Sequence, residues 1–539
     1  MEADLLVRGG FVIDGTGAPA RRADVAIAAG RIAAVGQIDP AGARATVDVG
    51  GLTVTPGFID MHSHSDYTLF GAPAAESRIG QGITTEVFGN CGYSPAPLPP
   101  GNRDAVVEWS GSLSRGLPWD WTTMADFLAS LERMGTGTNV LALVGHGAVR
   151  VAAMGFARRA PTGAELDQMR ALVADAMRDG AWGLSTGLIY PPATYCETDE
   201  VIALARVAAR YGGRYFTHMR DEADGLFDAV REALRIGREG GLPVQISHLK
   251  AAGQRQWGRM GEVVSLVEEA RASGQDVWAD FYPYEAGGTF LYGILPPFLM
   301  EGGIDGLVGR AGREDVRAQV KDAIKNGVKG WWNPVGVSGG WSEVTIVDIG
   351  SRRNKPAIGR TVHDLAASRG QDPVDTALDL LVEERGAVQI VIRMMRQGDI
   401  ETVARTPWAM MGTDGEASSP REAEEHLVHP RAYGTTARFL GDYVRDRGLT
   451  TWEAAVHRMT GLPAERMGLA DRGTIAPGQV ADLVVLEPER VADVASYAQP
   501  HKPPQGFQHV FVHGEAALRD GTFTGSRSGK VLRRSHPAR

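Results

Sequence analysis

The sequence alternates short apolar segments with amphipathic ones over most of its 539 residues. Eight apolar segments have the length and composition of buried β-strands, and they are 57–61, 84–90, 139–145, 181–186, 214–218, 243–247, 275–281 and 408–413. Helical patterns lie between them, one of which begins at the capping box Thr162-x-x-Glu165. Successive strand–helix units favour an α/β fold in which a parallel sheet closes into a (β/α)8 barrel of the TIM type. A ninth candidate strand at 388–392 leaves the strand count open.

Both ends of the chain contain short β-strand patterns and too few strands for two separate cores. We therefore predict one small β-sandwich domain from residues 1–55 plus 474–539, and a barrel domain over 56–473. Residues 285–350 lack clean periodicity and are predicted to be an insertion over the barrel mouth, as a lid. The last ten residues are basic, and we expect them to be frayed.

Composition excludes several classes of partner. The chain has 56 Lys and Arg against 65 Asp and Glu, a net charge of −9, and no basic block, so nucleic acid is not an expected partner. It has no apolar run of the roughly 18 residues that a membrane span needs. The N-terminus lacks a signal-peptide pattern, and two cysteines in this length fit a reducing compartment. We expect a cytoplasmic protein, with its oligomeric state open.

Potential metal ligands stand where predicted strands end. Two histidines at i and i+2 follow the first strand on one side of it, and a cysteine, two more histidines and an aspartate end later strands. The six residues are His62, His64, Cys91, His218, His248 and Asp414. Because the carboxyl ends of barrel strands converge on one face, we expect these side chains to meet there. Thiolate, imidazole and carboxylate together suit Zn²⁺. Cys196 stands off this pattern and is predicted to be a packing residue.

Longer motifs carry a resemblance that spans nearly the whole chain. They are GFIDMHSHSD (57–66), GNCGYSPAP (89–97), LSTGLIYPP (184–192), HMRDE (218–222), ISHLKAAG (246–253), DFYPYEAGG (280–288), GTDG (412–415), HPRAYGT (429–435) and MTGLPAERMGLADRGTIAPGQVADLVVL (459–486). In these motifs the chain resembles the amidohydrolase superfamily, and within it the N-acyl-D-amino-acid deacylases, or D-aminoacylases. The resemblance implies zinc-dependent hydrolysis of the amide bond of a small-molecule N-acyl-D-amino acid.

The resemblance also implies roles for individual residues. Cys91, His218 and His248 match a tight zinc site, whereas His62 and His64 match a second, weaker site that shares Cys91. Asp414 matches the catalytic carboxylate. The positions expected to bind substrate are Lys250, Tyr282 and Arg431, and Tyr190 is a further candidate pocket residue. Ser185-Thr186, rather than the carboxylated lysine of many amidohydrolases, ends the fourth strand, and Cys91 takes the bridging place.

Two departures from the family pattern leave the identity of the substrate undetermined. Gly288 stands where the family usually has a serine that helps to hold the substrate carboxylate, and Thr289 follows it. The segment from Asp414 to Arg431 is longer than is typical and carries the acidic run Glu422-x-Glu424-Glu425. The acyl group, the side-chain preference and the strictness of D over L selectivity therefore stay open. The aromatic residues of the insertion, such as Phe290 and Trp332, favour an apolar substrate side chain.

Two other functions remain as alternatives. One is hydrolysis of a cyclic amide, as in hydantoinases and dihydroorotases, although the Cys91 and Arg431 motifs argue against it. The other is a barrel without catalytic activity, which is disfavoured because all six potential ligand and acid–base positions are present.

Overall fold

The computed structural model describes residues 2–111 and 116–534. Its strands, in chain order, are β1 Leu5–Val12, β2 Arg21–Ala28, β3 Arg31–Gly36, β4 Thr46–Asp48, β5 Thr53–Pro56, β6 Phe58–Asp60, β7 Ile83–Phe88, β8 Asn139–Ala142, β9 Val144–Gly145, β10 Gly183–Gly187, β11 Arg214–His218, β12 Val244–Ile246, β13 Val277–Phe281, β14 Ala286–Phe290, β15 Val344–Ile349, β16 Val388–Arg393, β17 Ala409–Met411, β18 Leu483–Leu486, β19 Phe507–Val512, β20 Glu515–Arg519 and β21 Thr522–Phe523.

The helices follow the same order. They are α1 Ser65–Thr68, α2 Glu76–Ile79, α3 Arg103–Trp109, α4 Met124–Met134, α5 His146–Met154, α6 Gly163–Arg178, α7 Thr198–Arg210, α8 Leu226–Gly240, α9 Met260–Ala272, α10 Gly303–Ala311, α11 Glu314–Asn326, α12 Pro334–Ser338, α13 Val362–Arg369, α14 Pro373–Glu383, α15 Gln397–Arg405, α16 Arg431–Arg438, α17 Trp452–Met459 and α18 Gly461–Met467, with a π-helical segment Phe439–Asp446 after α16. None of the helices in the described ranges combines the length and apolar character of a membrane span.

The parallel strands form the predicted barrel. One run of paired strands has the order β6-β7-β8, and a second has the order β9-β10-β11-β12-β13-β17. Because β8 and β9 are separated only by Leu143, they occupy a single strand position. The ring closes between β6 and β17, where Met61 N–H donates to Met411 O (3.2 Å) and Asp414 N–H donates to His62 O (2.7 Å). The (β/α)8 prediction is confirmed, and each of the eight predicted segments overlaps a strand of the ring.

Both ends of the chain pair in one continuous sheet. Its order is β21-β20-β19-β18-β5-β1-β2-β3, with β4 beside β1. The two ends meet where β5 pairs antiparallel with β18, from Leu483 opposite Pro56 to Leu486 opposite Thr53. Apolar residues of both ends, including Val7, Val25 and Phe511, pack into one buried cluster. The prediction that both termini build one β unit is confirmed, whereas the predicted domain limits stay predictions.

The segment between β13 and α15, residues 282–396, is an insertion in the barrel, and we call it the insertion. It carries a three-stranded antiparallel sheet of order β14-β16-β15 among the described residues. The ninth candidate strand, 388–392, is the central strand β16 of this sheet and lies outside the barrel. The predicted limit at residue 350 falls directly after β15, so it separates β15 from its partner β16.

The C-terminal segment 529–534 runs past the N-terminal ends of consecutive barrel strands. Gly529 N–H donates to Thr136 O (2.8 Å), Leu532 N–H donates to Val140 O (2.8 Å), and Trp182 Nε1–H donates to Leu532 O (2.6 Å). Arg534 N–H donates to Gly180 O (3.0 Å). The expectation of a frayed end is therefore wrong for residues 530–534, because this strand-like segment has backbone partners; residues 535–539 lie outside the described ranges.

A chain that ends at residue 528 is expected to lose stability. Several hydrogen bonds to the barrel disappear, each of which contributes about 1 kcal/mol, so the free energy of unfolding should fall by on the order of 3 kcal/mol. Thermal unfolding followed by circular dichroism measures this loss as a lower midpoint. A chain that ends at residue 534 is the control, because it keeps every contact described here. Equal midpoints for the two truncated chains would contradict the assigned role of this segment.

Candidate metal centre

Cys91 lies at the centre of a group of histidines at the barrel mouth. Its Sγ is 3.3 Å from His62 Nε2, 3.6 Å from His248 Nε2 and 3.8 Å from His218 Nδ1. Burial alone would raise the pKa of the Cys91 thiol, but the charge of His62 and hydrogen bonds from His218, His248 and His62 hold that pKa well below its usual value. Cys91 is therefore suited to act as a thiolate ligand.

Three of the predicted site residues have an unusual backbone conformation just after their strands end. Cys91, His248 and Asp414 have φ values of 55°, 37° and 50°, in the left-handed region that non-glycine residues rarely adopt. Each such residue costs about 1 kcal/mol or more and persists only where its surroundings hold it. For His248, the backbone N–H donates to Asp280 Oδ1 at 2.7 Å. The strained turns aim the three side chains at one point.

Two buried carboxylates stand behind the histidines. Asp280 Oδ1 lies 3.2 Å from His62 Nδ1, and Asp280 Oδ2 accepts a hydrogen bond from Gln245 Nε2 (3.0 Å). Glu222 Oε1 lies 3.1 Å from His248 Nδ1, and its Oε2 lies 3.6 Å from His218 Nε2. The carboxylates thus face the ring nitrogens that point away from Cys91. This arrangement is typical of histidines that bind a metal, because the carboxylate fixes the tautomer and the ring orientation.

Asp414 reaches the centre from the last barrel strand. Its Oδ1 is 3.1 Å from His64 Nε2 and 3.3 Å from His62 Nε2, and its Oδ2 is 2.7 Å from Arg431 Nη1. Burial would raise the pKa of the Asp414 carboxyl, but the positive charges of Arg431, His62 and His248 hold it well below its usual value. Asp414 is therefore ionised in this environment.

A buried network fixes Asp414 against the first strand. Thr413 donates to Asp60 through its backbone N–H (2.8 Å) and through its hydroxyl (2.6 Å). Arg78, which is fully buried, donates to the Thr413 hydroxyl (2.6 Å) and to Ala432 O (2.8 Å). The same Asp60 carboxylate accepts from His62 N–H (3.0 Å). The network links His62 and Asp414, which are 352 positions apart in the sequence.

A pocket opens above the metal ligands, and the insertion forms much of its wall. Its insertion residues are mostly apolar or small, and they are Gly287, Gly288, Thr289, Phe290, Gly293, Ile294, Trp332, Val347, Gln389, Ile390, Val391, Ile392 and Met394. The four predicted substrate residues, Lys250, Tyr282, Arg431 and Tyr190, all line this pocket. The structure thus brings every sequence-predicted site residue to one place, and the insertion covers part of it.

The predicted substrate-binding cations are already paired in the structure. Lys250 Nζ lies 2.7 Å from Glu222 Oε1 and 2.7 Å from His248 Nδ1. The Arg431 guanidinium contacts Asp414 and stacks 4.8 Å above the Tyr282 ring. Its Nε is buried and has no hydrogen-bond partner in the described residues. Arg431 therefore retains a donor for an anionic ligand.

Gly288 stands where the family usually has a serine, and the structure shows whether the neighbouring Thr289 can supply the missing hydroxyl. The Gly288 carbonyl accepts from Arg431 Nη2 (3.5 Å), and a Cβ built at this position would lie 3.3 Å from the same nitrogen. The Thr289 hydroxyl turns the other way and donates to the Tyr190 hydroxyl (3.0 Å). Thr289 therefore does not supply the hydroxyl that position 288 lacks.

His146 and Cys196 lie apart from this pocket. His146 Nε2 is 2.8 Å from Glu200 Oε1, and Arg150 pairs with the other oxygen of the same carboxylate (2.5 Å). Cys196 is buried beside them, and burial raises the pKa of its thiol to about 12. A protonated thiol and a carboxylate already held by Arg150 make this a packing cluster, as predicted for Cys196.

The donors at the barrel mouth fit a zinc-type ion. Ligand atoms of His62, Cys91, His248 and Asp414 all lie within 4.8 Å of one another, as do those of His218, Glu222 and His248. His218 turns Nδ1 towards Cys91 Sγ, whereas its buried Nε2 lies 3.6 Å from Glu222 Oε2, beyond hydrogen-bond distance. A thiolate among imidazoles and a carboxylate is a donor set that zinc prefers.

Comparisons with known proteins agree with this arrangement. A sequence model described as "Amidohydrolase family" matches residues 45–516. The chain is similar to the D-aminoacylase of Alcaligenes xylosoxydans xylosoxydans, with 38% identity over 99% of this chain and 98% of the relative. The chain belongs to the amidohydrolase family. This amidohydrolase is also similar to the N-acyl-D-glutamate deacylase of the same organism, with 37% identity over 98% of this chain and 96% of the relative.

A solved structure extends the comparison to three dimensions. This amidohydrolase superposes with a TM-score of 0.81 on the N-acyl-D-glutamate deacylase from Bordetella bronchiseptica, at 34% identity over 99% of this chain and 100% of that one. That protein was crystallised with zinc and a phosphonate inhibitor that mimics the tetrahedral intermediate of its reaction.

Sequence reasoning missed three polar residues that hold the site together. Glu222 and Asp280 stand behind the histidines, and His429 supports Arg431, since Arg431 N–H donates to His429 Nδ1 (3.0 Å) while His429 Nε2 lies 2.9 Å from Ala286 O. Asp280 near the end of its strand offered the same signal as the predicted ligands. For Glu222 and His429 the signal was only their place within the HMRDE and HPRAYGT motifs.

Replacing Gly412 by alanine should disturb the metal centre of this amidohydrolase. A Cβ at this position would lie 2.7 Å from His62 Cβ and 2.8 Å from Asp280 Oδ1, and neither fully buried group has room to retreat. Overpacking of this kind costs about 1–3 kcal/mol. We expect Gly412→Ala to hold less divalent metal per chain after dialysis and to unfold at lower temperature.

The matched control is Gly398→Ala on α15, where an added Cβ meets nothing within 4 Å. Because alanine favours helix over glycine by up to about 1 kcal/mol, this variant should keep its metal and its thermal midpoint or improve the midpoint. Full metal content in Gly412→Ala would show that His62 and Asp280 are not held as tightly as described.

Proposed function

We propose that this amidohydrolase hydrolyses the amide bond of N-acyl-D-amino acids, with zinc as its cofactor, and releases a carboxylate and a free D-amino acid. The observation that carries the proposal is a single pocket that contains a buried thiolate–histidine cluster, an ionised aspartate and a buried arginine with an unused donor. The names of the similar proteins, a D-aminoacylase and an N-acyl-D-glutamate deacylase, support the reaction class.

In this proposal Cys91, His218 and His248 would hold a tightly bound zinc ion. His62 and His64, together with Cys91, would hold a second ion more weakly. When bound, zinc polarises a substrate carbonyl and lowers the pKa of a water molecule towards about 7. Asp280 keeps His62 in the orientation that this binding requires.

Asp414 is proposed as the general base and acid. Its ionised carboxylate lies beside the metal ligands His62 and His64, where it can accept the proton of the attacking water. The same group then delivers that proton to the leaving nitrogen, so that the amine departs in neutral form. In the structure Oδ2 of Asp414 pairs with Arg431 (2.7 Å), whereas Oδ1 faces His62 and His64 and is the oxygen on the side of the metal ligands.

The substrate carboxylate is proposed to bind Arg431, with Tyr282 and Lys250 beside it. Arginine is suited to this task because its planar fork of donors matches a carboxylate. The described pocket lining contains no lysine or arginine other than Lys250 and Arg431. Since both cations are already opposite Glu222 and Asp414, a second carboxylate on the substrate side chain would lack a partner. We therefore propose an apolar D-amino-acid side chain against the insertion wall, near Tyr190, Phe290 and Ile392.

We propose a small β-sandwich domain from residues 1–55 plus 474–539 around the barrel domain 56–473, supported by the pairing of β5 with β18. A cytoplasmic location is supported by two free, buried cysteines. The substrate is a small molecule, and nucleic acid and membranes are not proposed as partners.

Replacing Asp414 by asparagine should remove turnover and spare the tight metal site. Loss of a general acid–base group lowers kcat by about 10²–10⁴-fold. Zinc per chain, measured by atomic absorption after dialysis, should stay near the wild-type value for the ion held by Cys91, His218 and His248. Wild-type turnover in Asp414→Asn would refute the assigned role.

The proposed activity is tested with matched N-acetyl-D- and N-acetyl-L-amino acids of methionine, leucine, phenylalanine and glutamate. We expect the zinc-loaded protein to release amine from the D-forms of the apolar substrates, with a kcat/KM for N-acetyl-D-glutamate that is at least tenfold lower. Faster hydrolysis of N-acetyl-D-glutamate would refute the apolar preference but keep the reaction class. If none of these substrates is hydrolysed and the protein opens the ring of hydantoin or dihydroorotate, the cyclic-amide alternative would be established instead.

A further inference from the structure

Glu222 is a buried carboxylate of the pocket to which the proposed reaction assigns no step. Its side chain is 1% exposed. One oxygen, Oε1, accepts from Lys250 Nζ (2.7 Å) and lies 3.1 Å from His248 Nδ1. The other, Oε2, lies 3.6 Å from His218 Nε2. Glu222 is itself held in place, because its carbonyl accepts from Ala252 N–H (2.7 Å).

We propose that Glu222 is a positioning residue that orients both His218 and His248 towards the metal and at the same time holds Lys250 towards the substrate. The proposal deepens the proposed function and rests on it, since it assumes zinc at Cys91, His218 and His248. One carboxylate would then connect the metal ligands of β11 and β12 to a substrate-binding cation.

The ring nitrogens that face each partner support this role. His218 presents Nδ1 to Cys91 Sγ (3.8 Å) and turns Nε2 towards Glu222, whereas His248 presents Nε2 to the same sulfur (3.6 Å) and turns Nδ1 towards Glu222. The two histidines therefore use opposite nitrogens for the metal side. A neutral imidazole has one N–H, and a carboxylate beside one nitrogen favours the tautomer that leaves the other nitrogen free as a ligand. Glu222 is within hydrogen-bond distance of His248 Nδ1 (3.1 Å) and lies 3.6 Å from His218 Nε2.

Lys250 and Glu222 both contact Nδ1 of His248, and they favour opposite tautomers of this histidine. Lys250 Nζ lies 2.7 Å from His248 Nδ1, close enough to donate to that nitrogen. If it did so, the proton of a neutral His248 would be on Nε2, and the nitrogen that faces Cys91 could not bind a metal. Because Glu222 Oε1 contacts both groups, it can accept from Lys250 and from His248 Nδ1–H together. Glu222 thereby keeps Nε2 of His248 available.

A simpler role for Glu222 would be to neutralise the buried charge of Lys250. The two roles differ in what happens when Lys250 is also removed. If Glu222 only neutralises Lys250, Glu222→Gln in a Lys250→Met background should change nothing. If it orients the histidines, the double variant should still bind zinc more weakly than Lys250→Met alone.

The experiment measures zinc affinity by competition with a chromogenic chelator for the full-length protein and its variants. Loss of a carboxylate behind a metal ligand typically costs 10–100-fold in metal affinity, and we expect Glu222→Gln to lose this much. Lys250→Met should bind zinc within about threefold of wild type and show its defect in KM instead. The double variant should stay at least tenfold weaker than Lys250→Met. The visible spectrum of the Co²⁺-loaded protein, which reports the ligand geometry, should change in Glu222→Gln and not in Lys250→Met.

Glu232→Gln is the control for removal of a partly buried carboxylate, because Glu232 pairs with Arg220 (2.9 Å) and does not line the pocket. It should keep wild-type zinc affinity. Thermal unfolding of the metal-free proteins establishes that each variant is folded. Should Glu222→Gln fail to fold, Glu222→Asp keeps the charge but shortens the reach to both histidines, and it too should bind zinc more weakly.

The outcomes separate the two levels of the proposal. Wild-type protein that takes up no zinc would overturn the proposed function itself. Zinc-binding wild-type protein with unchanged affinity in Glu222→Gln or Glu222→Asp would overturn only the role of Glu222. Equal affinity of the double variant and Lys250→Met would likewise reduce Glu222 to a counter-charge.

Discussion

The contact between the first and last barrel strands is the constraint on which the site depends. Asp60 accepts two hydrogen bonds from Thr413 and one from His62, and Arg78 donates to the same threonine from a fully buried position. Removal of any one partner would leave a buried polar or charged group unpaired, which is far more costly than the modest net gain of a single hydrogen bond. The network therefore couples barrel closure to ligand placement, because the hydrogen bonds that join the first strand to the last also hold the backbone of His62 and of Thr413, the neighbour of Asp414.

Charge in the pocket is arranged in layers around the thiolate of Cys91. The histidines form the first layer, and Asp280 and Glu222 stand behind them, at ring nitrogens that the thiolate does not use. Further out, Arg431 and Lys250 pair with Asp414 and Glu222. Positive and negative groups thus alternate from the centre outwards. Such alternation places an opposite charge beside each of these buried charges, and among the described residues it leaves Arg431 Nε buried without a hydrogen-bond partner.

Strand-end chemistry made the barrel and its ligands predictable from sequence. The apolar segments had the right length, and the convergence of parallel strands follows from topology alone, so His218 and His248 could be assigned to one face. The ninth segment, 388–392, could not be excluded from the barrel because a buried antiparallel strand and a buried parallel strand have the same apolar composition. The tail at 530–534 looked frayed because its role depends on backbone hydrogen bonds, which sequence does not display.

The residues that support the ligands were harder to find, because their partners lie on other strand–loop units of the barrel. Glu222 lies only four positions after His218, yet its partners His248 and Lys250 come from the next strand–loop unit. The paired state of Lys250 and Arg431 also has no signature in composition, since a cation that will bind substrate and one that is already compensated look alike in sequence. Such details depend on distances between side chains and appear only once the barrel is closed.

The pairing of β5 with β18 has a consequence for how this chain is made. Residues 53–56 emerge from the ribosome early, and their partners 483–486 emerge more than 400 residues later. Until then one edge of β5 has no strand to cover it, and an open edge attracts other chains. Because β18 is synthesised near the end of the chain, β5 can be paired on this side only then. Nascent chains therefore expose an unpaired, aggregation-prone strand edge for most of their translation. A host that produces this protein at high level must shield that edge until residues 483–486 have appeared, when about nine-tenths of the polypeptide has been made.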